Sequence, residues 1–300
     1  MDLAFELRGR AATWRFETDG IRIRYQPGMM GPKLFKHLRE RFVPHEALAG
    51  VLLQDRGRRP VLWLRLRQGA CPLLAVAAGQ LPEAADPYRL VLRPEDRERA
   101  ALRAQELQDR IALNPDAERP AERFLLSAPH VPIVCRGMDG EAHFDGRTIS
   151  FRWGMMASRA KRRAGDRSYS LAEVDGVEWT PPLMSSNGVG YLRLRLVGGG
   201  EGPSKPADDP SCMQLGMGQG DPMLAVLFGA AVLAALADRP APPAELPAAE
   251  GTPRALPPGT LLAAAEEVAA AIRKLGELRD AGLLSEEEFQ AKKAELLDRL

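Results

Sequence analysis

Two runs of positive charge are the first places where this sequence could do chemistry. One holds Lys33, Lys36, His37, Arg39 and Arg41; the other holds Arg159, Lys161, Arg162, Arg163 and Arg167. Clustered cations can grip an anionic surface, each adding about 1 kcal/mol near a negatively charged membrane. The same composition serves equally as a solvated segment that keeps the chain soluble. Met29-Met30 and Met155-Met156 lie nearby and could touch lipid or peptide, or fill an internal gap. Other chemistry finds less support. Gly216, Gly218 and Gly220 fall between an expected strand and an expected helix, but their spacing is not that of a dinucleotide loop and no parallel βαβ unit surrounds them. His37, His45, His130 and His143 show no metal-ligand spacing, and neither a nucleophile elbow nor a phosphate-binding loop occurs. Asp208-Asp209 sits in a Gly/Pro-rich stretch that reads as a turn. Glu46 and Glu173 occupy matching places, with nothing to mark them as a general acid/base pair. We therefore expect no enzyme, no cofactor and no metal site.

The elements that position the basic runs come from a duplication. Trp14–Tyr25 returns as Ala142–Trp153, with Phe16 matching Phe144, Ile21 matching Ile149, Arg24 matching Arg152 and Tyr25 matching Trp153, a step of 128 residues. At the same step, Leu64-Arg65-Leu66-Arg67 falls on Leu192-Arg193-Leu194-Arg195 and Pro94 on Pro222. Thr18-Asp19-Gly20 reads as a hairpin turn with glycine at positive φ, and Asp145-Gly146 repeats it. Ile21, Ile23 and Tyr25 alternate with Arg22 and Arg24, predicting one buried and one basic face. Further strands are predicted at 50–54, 61–67, 72–77 and 88–92, and in the second copy at 176–180, 189–196 and 211–217. A helix is expected from Pro94 with the stripe Ala100, Ala104, Leu107 and Ile111, and a second from Pro222 to Ala237 with Asp221 as its cap. That second helix is apolar all round. We expect its outer face to pack on the first copy or on another subunit, since it falls short of the roughly 20 residues that span a bilayer. Each copy thus reads as antiparallel strands closed by one helix, an α+β, mainly β class.

Composition sets outer limits. Three hundred residues with 45% hydrophobic content suit two cores and an appendage. Lys and Arg number 41 against 40 Asp and Glu, so no global field draws nucleic acid. Cys71, Cys135 and Cys212 are scattered and odd in number, against a disulfide framework or zinc ribbon and in favour of a reducing cytosol. Met1–Glu6 lacks a basic region followed by an apolar one, so no signal peptide is expected.

The proline-bearing residues 113–135 read as a mostly extended connector ending in a short strand, and 239–259 as a semi-stiff Pro/Ala linker. Beyond it, Leu261, Ala265, Val268, Ile272 and Leu275 form a helical seam. Gly282 ends that helix; Ser285 with Glu288 makes a capping box for the next, which carries Phe289, Leu296, Leu297 and Leu300. The stretch from Ile272-Arg273-Lys274-Leu275-Gly276-Glu277-Leu278 to Glu286-Glu287-Glu288-Phe289-Gln290-Ala291-Lys292-Lys293-Ala294-Glu295-Leu296-Leu297 closely resembles the SHOCT (short C-terminal) domain. That resemblance implies a helical hairpin that helps assembly, and no chemistry. The upstream copies resemble a bacterial family of unknown function whose tandem units precede a SHOCT tail and which is similar to pleckstrin-homology (PH) domains. It implies two tandem PH-like bent barrels, each seven strands capped by a C-terminal helix, at 1–112 and 136–238, then a SHOCT-like hairpin at 260–300. In PH folds the position of the basic loops, 28–42 and 154–167 here, contacts phosphorylated headgroups.

The expected function is a non-enzymatic cytoplasmic scaffold. The interaction seam is Ile272, Leu275, Leu278, Phe289, Leu296 and Leu297, serving self-association or a protein partner. The alternative is a peripheral binder of an anionic membrane surface, at the inner membrane, through Lys33, Lys36, Arg39, Arg41, Arg159, Lys161, Arg162 and Arg163. Neither a transmembrane segment nor a nucleic-acid partner is expected.

Overall fold

The computed structural model describes residues 5–29, 31–182, 188–199, 205–216 and 222–239. In the first copy, β1 (Phe5–Arg8), β2 (Ala12–Phe16) and β3 (Gly20–Tyr25) run antiparallel. The predicted alternation holds, with Ile21, Ile23 and Tyr25 buried and Arg24 exposed. A short helix, α1 (Lys33–Leu38), leads into β4 (Glu40–Pro44), which completes a four-stranded sheet in the order β1-β2-β3-β4. β5 (Leu48–Arg56) and β6 (Arg59–Leu66) form a long hairpin joined, beyond helix α2 (Pro72–Ala77), by β7 (Arg89–Val91). A 3-10 turn at Pro94–Asp96 opens α3 (Arg97–Ala112), which packs on β5 and β6 through Ala100, Ala104 and Leu107.

The second copy repeats this order, with no counterpart of α2 among the described residues, as β8 (Ile133–Arg136), β9 (Gly140–Phe144), β10 (Thr148–Trp153), α4 (Arg159–Ala164), β11 (Arg167–Ser170), β12 (Val174–Thr180), β13 (Gly190–Leu196), β14 (Cys212–Leu215) and α5 (Pro222–Ala237). Its sheets are β8 to β11 and β12 to β14, and every pairing is antiparallel. Among the described residues the architecture is therefore α+β and mainly β.

Four expectations change on contact with the structure. Pro72–Ala77 is helix, not strand: a short apolar run has the same pattern in either form, and Pro72 at the first turn with Ala78 as a left-handed cap (φ 46°) decides it. The basic segments are not loops but carry α1 and α4, the latter capped by Ser158, whose side chain accepts from Lys161 N–H. The constant step of 128 residues holds for β2–β3 against β9–β10 but not for the second sheets. Both long hairpins have a bulge, between Leu48 and Gly50 and between Val174 and Gly176, where Gly50 faces Arg65 and Gly176 faces Arg195. Arg65 therefore matches Arg195, not Arg193, because loops of different length separate the copies' elements. Gly146 does take positive φ (105°), but Gly20 does not; a Cβ there would stand 2.5 Å from Phe42 Cζ and from Val43 O, so close packing selects glycine.

The segment 113–135 is less extended than predicted. It turns repeatedly and is tied to the first copy by Ala121 N–H to Gln68 O and Leu125 N–H to Ala70 O, each 2.8 Å. β8 ends it, as expected.

Helix α5 matches its predicted limits, and its environment explains its composition. One side covers β12, β13 and β8; the other meets α2 and α1 of the first copy. Phe228 sits edge-on to Phe144 at 6.2 Å, and a Cβ on Gly229 would lie 2.8 Å from Val76 Cγ1 and 3.2 Å from Val177 Cγ1. Gln80 Nε2 also donates to Trp179 O across the copies, and Trp179 Nε1 to Pro222 O. The buried side chains of both copies consequently form one continuous cluster.

Candidate functional site

The sequence-predicted basic residues divide into two groups. Lys33 and Lys36 project from α1, and Arg159 and Arg163 from α4, all exposed. Met29 and Met155 precede these helices at 95% and 92% exposure, with Met156 also largely open. Arg39 is exposed but takes φ 54° at the end of α1, the chain reversal that Gly165 (φ 71°) makes after α4.

The remaining three are structural. Arg162 Nη1 donates to Met155 O and Ala157 O at 3.0 and 2.7 Å, holding the turn before α4. Arg41 is only 8% exposed and donates from Nη2 to Ser127 O at 2.7 Å, fastening the 113–135 segment to β4. Around it lie Tyr25, whose hydroxyl donates to Pro87 O at 3.0 Å, and Tyr88, 3.1 Å from Cys71 Sγ. Burial pushes both phenols well above their usual range.

Lys161 departs furthest from expectation. Its side chain is 0% exposed; Nζ lies 2.5 Å from Asp139 Oδ2, 2.6 Å from Cys212 O and 4.6 Å from the centre of the Trp153 ring. Asp139 Oδ1 in turn accepts from Gln214 N–H at 2.9 Å. One ammonium thus ties β10, the turn between β8 and β9, and β14 together, joining the two sheets of the second copy. In the first copy the third residue of the matching helix is Phe35, whose ring lies 4.9 Å from Tyr25. The place of Asp139 is taken there by Ala11, as the equivalent turn bonds Gly9 N–H to Ala12 O and Gly137 N–H to Gly140 O show. Residue type alone marked Lys161 as a surface cation. At the repeat step of 128 residues it falls on Lys33, another cation, so the repeat carried no sign of its burial.

The other chemistry weighed from sequence resolves into structure. Asp209 Oδ1 accepts from Ser211 N–H and Oγ, a turn; its Oδ2 stands 3.0 Å from Arg193 Nε, near enough for an ion pair but misaligned for a hydrogen bond. Glu173 accepts from Ser170 N–H and Oγ, contacts that hold its carboxyl below the usual range and cap a 3-10 turn. Of the glycine triplet only Gly216 is described, and it borders Met138. Among the described residues, no group of three or more His, Cys, Asp or Glu side chains converges as a metal site would require. All three thiols are buried, and burial pushes Cys212 up to about 12.

Of the surface concavities among the described residues, two bear on the argument. A groove of ≈ 310 Å³ on the outer face of the first sheet carries Arg8, Arg15, Arg22 and Arg24, but carboxylates answer them: Arg22 binds Glu17 through Nε at 2.9 Å and Nη2 at 3.0 Å, and Arg24 reaches Glu40 at 3.3 Å. The guanidinium of Arg22 holds Glu17 below the usual carboxylate range. The second is a cleft of ≈ 790 Å³ assembled from the β1–β2 turn, the segment before α1, residues 82–91 and the start of α5. No sequence signal pointed to it, since four separated segments build it. The interaction seam Ile272, Leu275, Leu278, Phe289, Leu296 and Leu297, the predicted cap Asp221 and the linker after residue 239 lie outside the described residues.

The site and the fold together define a class: a duplicated, mainly β protein whose two copies share one buried helix and present exposed cations on short helices, with exposed methionines just before them. Residues 14–108 and 142–233 match the family described as a domain of unknown function (DUF4429), and residues 270–297 match the Short C-terminal domain (SHOCT). The first match covers more than half of the chain, and the protein belongs to the DUF4429 family, as a tandem pair followed by a SHOCT tail. No curated protein matches the chain. Among the described residues, no helix is long and apolar enough to cross a membrane.

Proposed function

We propose that the protein is a non-enzymatic interaction module: two PH-like barrels held in a fixed mutual arrangement, with the SHOCT hairpin supplying assembly. The observation that carries this reading is α5, which packs against elements of both copies and so presents their surfaces as one body. Each copy has a four-stranded and a three-stranded antiparallel sheet followed by a helix, the strand count and order of a PH-like barrel. The seam through Leu275 and Leu278 serves self-association in this reading, because an apolar stripe on a tethered hairpin gains most by meeting its own kind. Light scattering coupled to size exclusion tests it. The full chain runs as an oligomer, and removal of residues 260–300 leaves a monomer. A monomer in both cases removes the assembly role.

A second reading, a peripheral headgroup binder at the cytoplasmic face, rests on the exposed Met29 and Met155 beside Lys33, Lys36, Arg159 and Arg163. Four charges at about 1 kcal/mol each suit weak, salt-sensitive attachment. Its test must spare Arg41, Lys161 and Arg162, whose loss would disturb the fold. The variant Lys33→Glu/Lys36→Glu/Arg159→Glu/Arg163→Glu is expected to lose flotation with phosphatidylserine vesicles that the unaltered chain retains. Equal flotation of both would end this reading.

A further inference from the structure

The ≈ 790 Å³ cleft is not explained by either reading. Its volume lies within the range of small-molecule sites, roughly 300–1,000 Å³. Ala11, Ala12, Phe35, Leu90, Val91 and Met223 supply much of its apolar lining. Its charged groups are Arg10, Lys33, Arg89, Glu83 and Asp86. Glu83 is already engaged, with Arg89 Nη2 at 3.0 Å and Arg56 at 3.8 Å. Asp86 accepts from Tyr88 N–H, and burial raises its carboxyl above the usual range. The balance therefore favours cations.

Arg89 gives the cleft its chemical direction. Its side chain is only 15% exposed, and among the described residues its buried Nε has no hydrogen-bond partner. An unmet donor on a partly buried guanidinium is costly, and an anion drawn to the same guanidinium offsets that cost. The lining is poorly made for a peptide. Pro32, Pro82 and Pro222 have no N–H to offer, while Leu90 and its neighbours pair with β6 and the carbonyl of Val91 accepts from Arg10 N–H. An acyl chain asks for no such partners.

We infer that this cleft binds single-chain amphiphiles with an anionic head, the chain on the apolar lining and the head against Arg89 and Arg10. The site lies wholly within the first copy and the start of α5, and it does not depend on the tail or on membrane attachment.

Equilibrium dialysis of the full chain against decanoate, below its micelle concentration, tests this, with decanol as the neutral probe and decyl phosphate as a second anion. Decanoate and decyl phosphate bind, and decanol binds roughly tenfold more weakly, the scale of one charge-assisted contact. Ala84→Trp, at an exposed lining position, fills the cleft and abolishes binding. Arg89→Met weakens decanoate to the level of decanol. Should Arg89→Met fail to fold, Arg10→Glu on the exposed rim makes the same charge test, and Lys33 stays untouched so that vesicle flotation is a separate result. Absence of decanoate binding, equal binding of decanol, or binding indifferent to Ala84→Trp would overturn the assignment.

Discussion

Lys161→Ala lowers the unfolding free energy by about 3–5 kcal/mol, the cost of leaving one member of a buried ion pair without its partner. Urea titration followed by tryptophan fluorescence measures it. The argument runs from the contacts. Lys161 and Asp139 are both fully buried, so alanine leaves the carboxylate without its partner in the interior. Alanine also deserts Cys212 O and the Trp153 face. The double variant Lys161→Met/Asp139→Asn recovers most of the loss. It removes the stranded charge, keeps the volume, and leaves an amide oxygen to accept from Gln214 N–H. A loss below about 1 kcal/mol for Lys161→Ala, the scale of an exposed pair, would show that the ammonium is solvated after all. By contrast, Arg159→Ala, two residues away on the same helix, touches an exposed side chain and is the natural control.

Phe228→Ala carries a comparable cost, about 3–5 kcal/mol, from lost transfer energy and the cavity left in a packed interior. Phe228 is fully buried on α5 and meets Phe144 edge to face. Its helix touches α2 and α1 on one side and β12, β13 and β8 on the other, so the loss is felt by both copies. Unfolding of residues 1–239 is accordingly a single transition. Probes in the first copy (Trp14, Trp63) and in the second (Trp153, Trp179) report the same midpoint, and Phe228→Ala shifts both together. Separate midpoints would mean that α5 belongs energetically to the second copy alone.

How much of this could be read beforehand depended on how locally each feature is specified. The strands around Ile21 and Ile149 were legible because a period of two is written in neighbouring residues. α5 was legible, including its need for a second partner, because an all-apolar helix cannot be satisfied by one face. The turn at Asp209 followed from its Gly/Pro surroundings. The run Pro72–Ala77 was not legible, since six consecutive apolar residues fit strand and helix alike. Lys161 and Arg41 were misread for a different reason. Their burial depends on Asp139 and Ser127, 22 and 86 residues distant, and no local pattern carries that information. The cleft at Arg89 was beyond reach on the same grounds. The matching of Arg65 with Arg193 failed because leucine–arginine alternation looks the same after a slip of two residues, and only the shared bulge at Gly50 and Gly176 fixes the frame.

The contrast between Phe35 and Lys161 bears on how the two halves can evolve. Genetic exchange between duplicated segments tends to make them alike, yet here a transplanted lysine would arrive opposite Ala11, with no carboxylate to receive it. A phenylalanine travelling the other way would abandon Asp139 in a dry interior. Either crossover would yield a crippled molecule. The halves are therefore locked on separate lineages, free to drift apart but not to be copied into one another.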